Sequence, residues 1–114
     1  MSDCIFCKIA NKEINTELVY ENEKVVAFKD INPKAPIHIL IIPKKHIETA
    51  MDITEEDKDI ISDMYKAIRE IAKKLDIDEK GFRIITNCKE DGGQEVMHLH
   101  MHLLAGKKLS TNII

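Results

Sequence analysis

The sequence predicts an α+β domain built on an antiparallel sheet. Two observations carry this: several short strand-like runs, and one long amphipathic helix that interrupts them without any regular strand-helix-strand alternation. A third bounds it. At 114 residues the chain has the size of one domain and buries roughly two-thirds of the surface its unfolded form exposes, so a core forms without disulfide staples. We therefore read residues 1–114 as a single domain.

The first element is a brief helix. Ser2 or Asp3 is suited to cap a stretch with Ile5, Phe6 and Ile9 on one side, ending near Asn11 to Glu13. TELVYE and KVVAFKD follow as β-rich runs, and the turn-like Glu21, Asn22 and Glu23 between them suggest a hairpin. Pro33 and Pro36 break the chain, since neither can donate to a ladder. IHILII (37–42) is then a strand ended by Pro43.

Thr54 followed by Glu55, Glu56 and Asp57 is a capping-box type of helix start, with acids suited to the positive end of the dipole. Beyond it Ile60, Ile61, Met64, Ile68, Ile71, Ala72 and Leu75 recur every three or four residues and form one apolar stripe. FRIITN (82–87) and VMHLHMHLLA (96–105) read as the last strands, joined by CKEDGGQE, whose Gly92 and Gly93 mark a turn.

Composition excludes several classes. Seventeen basic residues against 20 acidic ones, with no basic block, argue against binding a nucleic-acid polymer. No apolar run approaches the roughly 18 residues of a membrane span, and the polar start MSDCIFCK lacks the regions of a signal peptide. Three cysteines, two of them in Cys4-x2-Cys7, do not suit a stapling framework. A soluble protein of the reducing cytoplasm is expected.

The segment HLHMH (98–102) holds three of the five histidines. In a strand His98, His100 and His102 share one face, with Leu99, Met101 and Leu103 on the core side. A rise of about 3.3 Å per residue separates the outer two backbones by roughly 13 Å, too far for one metal to take all three rings from this run alone. A solvated face would be served equally by Lys, Glu or Thr. An imidazole, nearly neutral at physiological pH, can attack as a nucleophile and carry a proton.

This stretch, with Asn87 and DGGQEVM before it and Leu103-Leu104 after it, resembles the histidine triad (HIT) family, within it the Hint branch of purine nucleoside phosphoramidases. CIFCKI, AFKDINPKAPIHILIIPKKHI (27–47) and NCKEDGGQEVMHLHMHLLAG (87–106) are similar to that branch in the same order, leaving only the long helix weakly matched. The resemblance implies a five-stranded antiparallel sheet with one long and one short helix, and a homodimer whose sheets join into ten strands.

It also implies the chemistry. His100 is the expected nucleophile on the α-phosphorus of a purine nucleotide of AMP or GMP type, giving a nucleotidyl-histidine that water hydrolyses. His102 is expected to donate to a phosphate oxygen and assist the leaving amine, and His38 to orient His100; His98 completes the catalytic run. Asp30 matches the ribose-hydroxyl acceptor with Ile31 beside it. Ile5, Phe6, Ile9 and Phe28 match the base slot, and Asn87, Gly93 and Gln94 the phosphate loop. By residue type alone, the four apolar residues read first as core and the glycine pair as a turn. One departure stands out: Glu95 occupies a position where many members have serine, so that phosphate contact is not carried over.

Cys4-x2-Cys7 alone is half a zinc site or two buried small residues. Bacterial members starting CxFC resemble this chain, and the resemblance implies a structural zinc on Cys4, Cys7, His46 and His98 that is not needed for catalysis. Cys88 has no evident role. The competing readings are a dinucleoside polyphosphate hydrolase of the same family, which has Gln where His102 stands, a nucleotide-binding regulatory module with little turnover, and a zinc hydrolase with an open metal position.

Overall fold

Strand IHILII is apolar except for His38 because it lies at the centre of a sheet covered on both faces. A computed structural model describes residues 4–112. The order is α1 (Ile5–Ala10), β1 (Leu18–Glu21), β2 (Val25–Lys29), β3 (Ile37–Pro43), two single 3-10 turns (Ala50–Asp52 and Glu55–Asp57), α2 (Lys58–Lys74), β4 (Arg83–Ile85) and β5 (Met101–Ala105). All neighbours in the sheet order β1-β2-β3-β5-β4 are antiparallel. This is the expected α+β, five-stranded architecture.

Alternation along the strands divides the interior into two. Val25, Ala27, Ile39, Ile41, Met101 and Leu103 point to one face, where they meet Met64, Ala67, Ile68 and Ile71 of α2. Val26, Phe28, Leu40 and Ile42 point to the other and are covered by Phe6, Ile9 and Ala10 of α1. Each fully buried Ile or Met contributes about 1.5–3 kcal/mol relative to exposure. The α2 face therefore carries most of the burial, and the α1 face is left thin enough to hold a cleft.

The α2 stripe forms as its spacing predicts, with its centre buried and Leu75 at its end 36% exposed. The Thr54 capping box closes on Asp57, whose Oδ2 accepts the Thr54 N–H at 2.9 Å, but the first turn is 3-10 and regular helix begins at Lys58. Asp57 is buried because Lys45 Nζ reaches its Oδ1 at 2.7 Å. Gly106 ends β5 at φ +99°, where a Cβ would meet Pro36 Cβ at 2.8 Å.

Three expectations are corrected. The helix cap is Cys4, whose Sγ accepts the Cys7 N–H at 3.3 Å; Ser2 and Asp3 lie outside the described residues. Strand 82–87 shortens to three residues. The last strand starts at Met101 rather than residue 96. Residues 96–98 bend, with the His98 N–H on Val96 O at 2.9 Å and the Leu99 N–H on Ile47 O at 2.6 Å. These donors are satisfied by the turn and by the loop after β3, so the segment needs no ladder partner. No helix among the described residues is long and apolar enough to cross a membrane.

Candidate active site and metal centre

The bend before β5 carries His98 off the sheet to the start of α1. His98 Nδ1 lies 3.3 Å from Cys4 Sγ, 3.6 Å from Cys7 Sγ and 3.2 Å from His46 Nδ1, and Cys7 Sγ is 3.2 Å from His46 Nδ1. Zinc bonds of about 2.3 Å to sulfur and about 2.0 Å to nitrogen at tetrahedral angles set ligand atoms roughly 3.3–3.8 Å apart. The four atoms fit those edges, and two soft thiols with two imidazoles form a closed site of structural type. His98 Nε2 faces Pro43 O at 2.8 Å. A carbonyl only accepts, so Nε2 carries the hydrogen and Nδ1 keeps its lone pair for a metal.

The same accounting fixes the other rings. His100 Nδ1 lies 2.7 Å from His98 O and must donate to it, leaving the His100 Nε2 lone pair free. The Lys34 N–H donates to His38 Nδ1 at 3.0 Å, so neutral His38 carries its hydrogen on Nε2. That hydrogen is donated to His102 Nδ1 at 2.9 Å, with Asp30 Oδ2 at 3.3 Å as a weaker partner. His102 in turn carries its hydrogen on Nε2. The cleft thus receives an unprotonated ring nitrogen from His100 and an N–H donor from His102.

This corrects the expected partner of His38, which is His102 and not His100. The ladder pairs Leu40 with His102 and His38 with Leu104, so the His38 and His102 rings are diagonal neighbours on one face, whereas His100 precedes the ladder. Asp30, His38 and His102 also lie close enough together to suggest a metal group. The Lys34 N–H argues otherwise: it holds the Nδ1 lone pair of His38, leaving hydrogen rather than a lone pair on Nε2.

Burial lowers His38 and His102 below the ordinary imidazole value, and neighbouring imidazoles add to the effect on His102. In the metal-free chain burial lowers His98 to about 4, and burial with the Cys4 thiol alongside pushes Cys7 up to about 11. Neutral thiols release their protons when a metal binds, which makes metal affinity pH-dependent.

A cleft of about 510 Å³ opens beside the histidines. Of the expected residues it is lined by Ile5, Phe6, Ile9, Phe28, Asp30, Ile31, Asn87, Gly93, His100 and His102. Phe6 packs edge-on against Phe28 at 5.6 Å and His100 at 5.1 Å, so core and slot roles coincide in one ring. Ile31 projects at the rim, 91% exposed.

Gln94 is not on the wall. Its Nε2 donates to Glu48 O and Val96 O at 2.7 and 2.9 Å and its Oε1 accepts the Lys89 N–H, so it ties the glycine turn to the loop that carries His46. Gly92 packs against the Cys88 backbone, where a Cβ would meet the carbonyl oxygen at 2.6 Å. Glu95 does line the cleft, as do Thr16, Lys29, Leu40 and Val96, which sequence reasoning missed. Leu40 was the accessible one: it shares the His38 face by alternation.

Comparison with known proteins agrees with this geometry. Residues 11–109 match the model of the HIT domain. The chain is similar to the purine nucleoside phosphoramidase of Escherichia coli K12, 45% identical over 107 residues that cover 94% of this chain and 90% of the relative. An uncharacterized HIT-like protein of Buchnera aphidicola is 50% identical over 94% of both chains. Among solved structures, a histidine triad protein from Clostridium difficile superposes with TM-score 0.93 at 55% identity, covering 96% of each chain. A HIT family hydrolase from Clostridium thermocellum does so with TM-score 0.95 at 47% identity, over 100% of this chain and 99% of the other.

Proposed function

Because the chain belongs to the HIT family, we propose that it is a hydrolase that cleaves purine nucleoside 5'-phosphoramidates through a nucleotidyl-histidine, releasing the nucleoside monophosphate. The observation that carries this reading is the pair of fixed tautomers: a lone pair on His100 Nε2 beside a hydrogen on His102 Nε2 in one cleft.

The nucleoside enters the slot of Ile5, Phe6, Ile9 and Phe28, with Asp30 and Ile31 at the ribose. His100 Nε2 forms a bond to the α-phosphorus as the bond from phosphorus to the leaving nitrogen breaks. The His98 carbonyl stabilises the cation that develops on the ring by accepting from Nδ1. The His102 Nε2–H donates to a phosphate oxygen, and Asn87 and Gly93 close that side. The leaving nitrogen takes up one proton, relayed by the His102 Nε2–H, which is restored when the attacking water gives up its own. Water then attacks phosphorus, His100 leaves, and the proton of that water balances the one taken up. His98 supplies its carbonyl, not its ring, to this sequence.

We place a structural zinc on Cys4, Cys7, His46 and His98, where it would tie α1 to the bend before β5 and take no part in bond making. The same reading includes a homodimer in the cytoplasm, the first checked by mass in solution. A dinucleoside polyphosphate hydrolase is disfavoured by His102, since that branch has Gln there. A nucleotide-binding module predicts no turnover.

The test is AMP release from adenosine 5'-phosphoramidate together with acid-quench recovery of a nucleotide bound to His100. Turnover by wild type and loss of both signals in His100→Ala are expected. Equal turnover by His100→Ala would remove the mechanism, and inactive wild type would remove the enzyme.

A further inference from the structure

Glu95 is the acidic residue of the cleft that the proposed chemistry does not use. It is exposed on the stretch that also supplies Gly93 and Val96 to the cleft wall, and among the described residues it makes neither a hydrogen bond nor an ion pair. Asp30, the other carboxylate there, is already engaged by the Asn32 N–H at 2.8 Å and by His38 at 3.3 Å. The backbone around Glu95 is held by the Gln94 bonds to Glu48 O and Val96 O, so the free carboxylate sits on a fixed segment.

A phosphate anion placed beside such a carboxylate is repelled, and His102, kept neutral by burial, does not offset the charge. The repulsion disappears when the substrate itself brings a cation to that spot. With the nucleoside in the apolar slot under α1 and Asp30 at the ribose with Lys29 next to it in β2, the rim of Asn87, Gly93 and Glu95 is left to face the phosphate and leaving group. We propose that Glu95 is a specificity-determining residue that favours phosphoramidates whose leaving amine carries a second positive charge, as in a diamine, and disfavours uncharged alkylamines. This works by attraction to one class and uncompensated repulsion of the other. It rests on the reading of His100 as the nucleophile.

The experiment compares kcat/KM for adenosine 5'-N-(3-aminopropyl)phosphoramidate and adenosine 5'-N-butylphosphoramidate, a pair of similar length that differs in the terminal ammonium. Wild type is expected to prefer the aminopropyl substrate about fivefold at low ionic strength, the size of a partly exposed charge pair, and the preference should shrink with salt. Glu95→Gln is expected to remove the preference and Glu95→Lys to invert it. Cleavage of both substrates at equal rates by wild type overturns the inference alone. So does a preference that Glu95→Gln leaves intact, or a change in both rates by one common factor. Cleavage of neither substrate removes the hydrolase reading and this inference with it.

Discussion

Replacing His38 by Phe keeps the ring volume in its buried place and removes both nitrogens. The bond lost to the active site is His38 Nε2–H to His102 Nδ1, 2.9 Å long. Such a bond is worth a net of about 0.5–1.5 kcal/mol, and here that energy favours the His102 tautomer with hydrogen on Nε2. Without it the productive tautomer falls by a factor of about 2 to 12, at roughly 1.4 kcal/mol per tenfold. The His102 ring also loses the contact that sets its angle, and misplacement of a catalytic group lowers the rate by about another tenfold. We expect kcat to fall about 20- to 100-fold while KM changes less than about threefold, because the apolar base slot is untouched. His38→Gln places an amide N–H near the Nε2 position and should bring kcat back to within about fivefold of wild type. Steady-state AMP release measures all three proteins. A His38→Phe enzyme with kcat within twofold of wild type, or a Gln variant no better than Phe, would refute the argument from tautomers.

Acid should destabilise the fold through the same pair. His38 and His102 have native values below the ordinary 6.5, so between those values and about pH 6.5 the unfolded chain binds more protons. Stability therefore falls as pH drops through this window and is flat above it; urea midpoints at about pH 7.5 and 5.5 should differ less in a His38→Gln, His102→Gln double variant than in wild type. Stripping a bound metal should remove about 3 kcal/mol or more, near 10 °C in melting temperature for a domain of this size, and Cys7→Ser should do much the same; an unchanged melt after chelation would sink the structural role. Gly106→Ala should cost about 1–3 kcal/mol and more than Gly81→Ala. Both have positive φ, but only at Gly106 does the added Cβ strike a neighbour, and chemical denaturation of the two variants checks the order.

What could be read from the sequence was local and periodic. The α2 stripe, the β3 run and the face shared by His98, His100 and His102 follow from spacings of 3.6 and 2; the structure keeps the first two, while the bend at 96–98 takes His98 off the shared face. Contacts that span the chain were harder. The bend at 96–98 depends on Ile47 and on the group formed with Cys4, Cys7 and His46, none of which is near it in sequence. The partner of His38 depends on strand register: alternation says which face a ring takes, while one step of register decides between His100 and His102. Gln94 lay within the resembling motif, yet its amide holds the loop instead of lining the cleft, a distinction that composition does not carry. The Cys4 cap was masked by two more usual capping residues just before it.

The proton positions of three imidazoles are dictated by Pro43 O, His98 O and the Lys34 N–H, which are main-chain groups. Side-chain replacement at those three positions leaves the dictating atoms in place, except that proline at position 34 would delete the donor. Inherited variation can therefore rework the cleft wall, residue by residue, while the hydrogens of the His98, His100 and His38 rings stay where the backbone puts them. New substrate preferences would arise on the rim of an unchanged engine, whose proton positions shift only when one of the rings, or the course of the chain beneath them, changes.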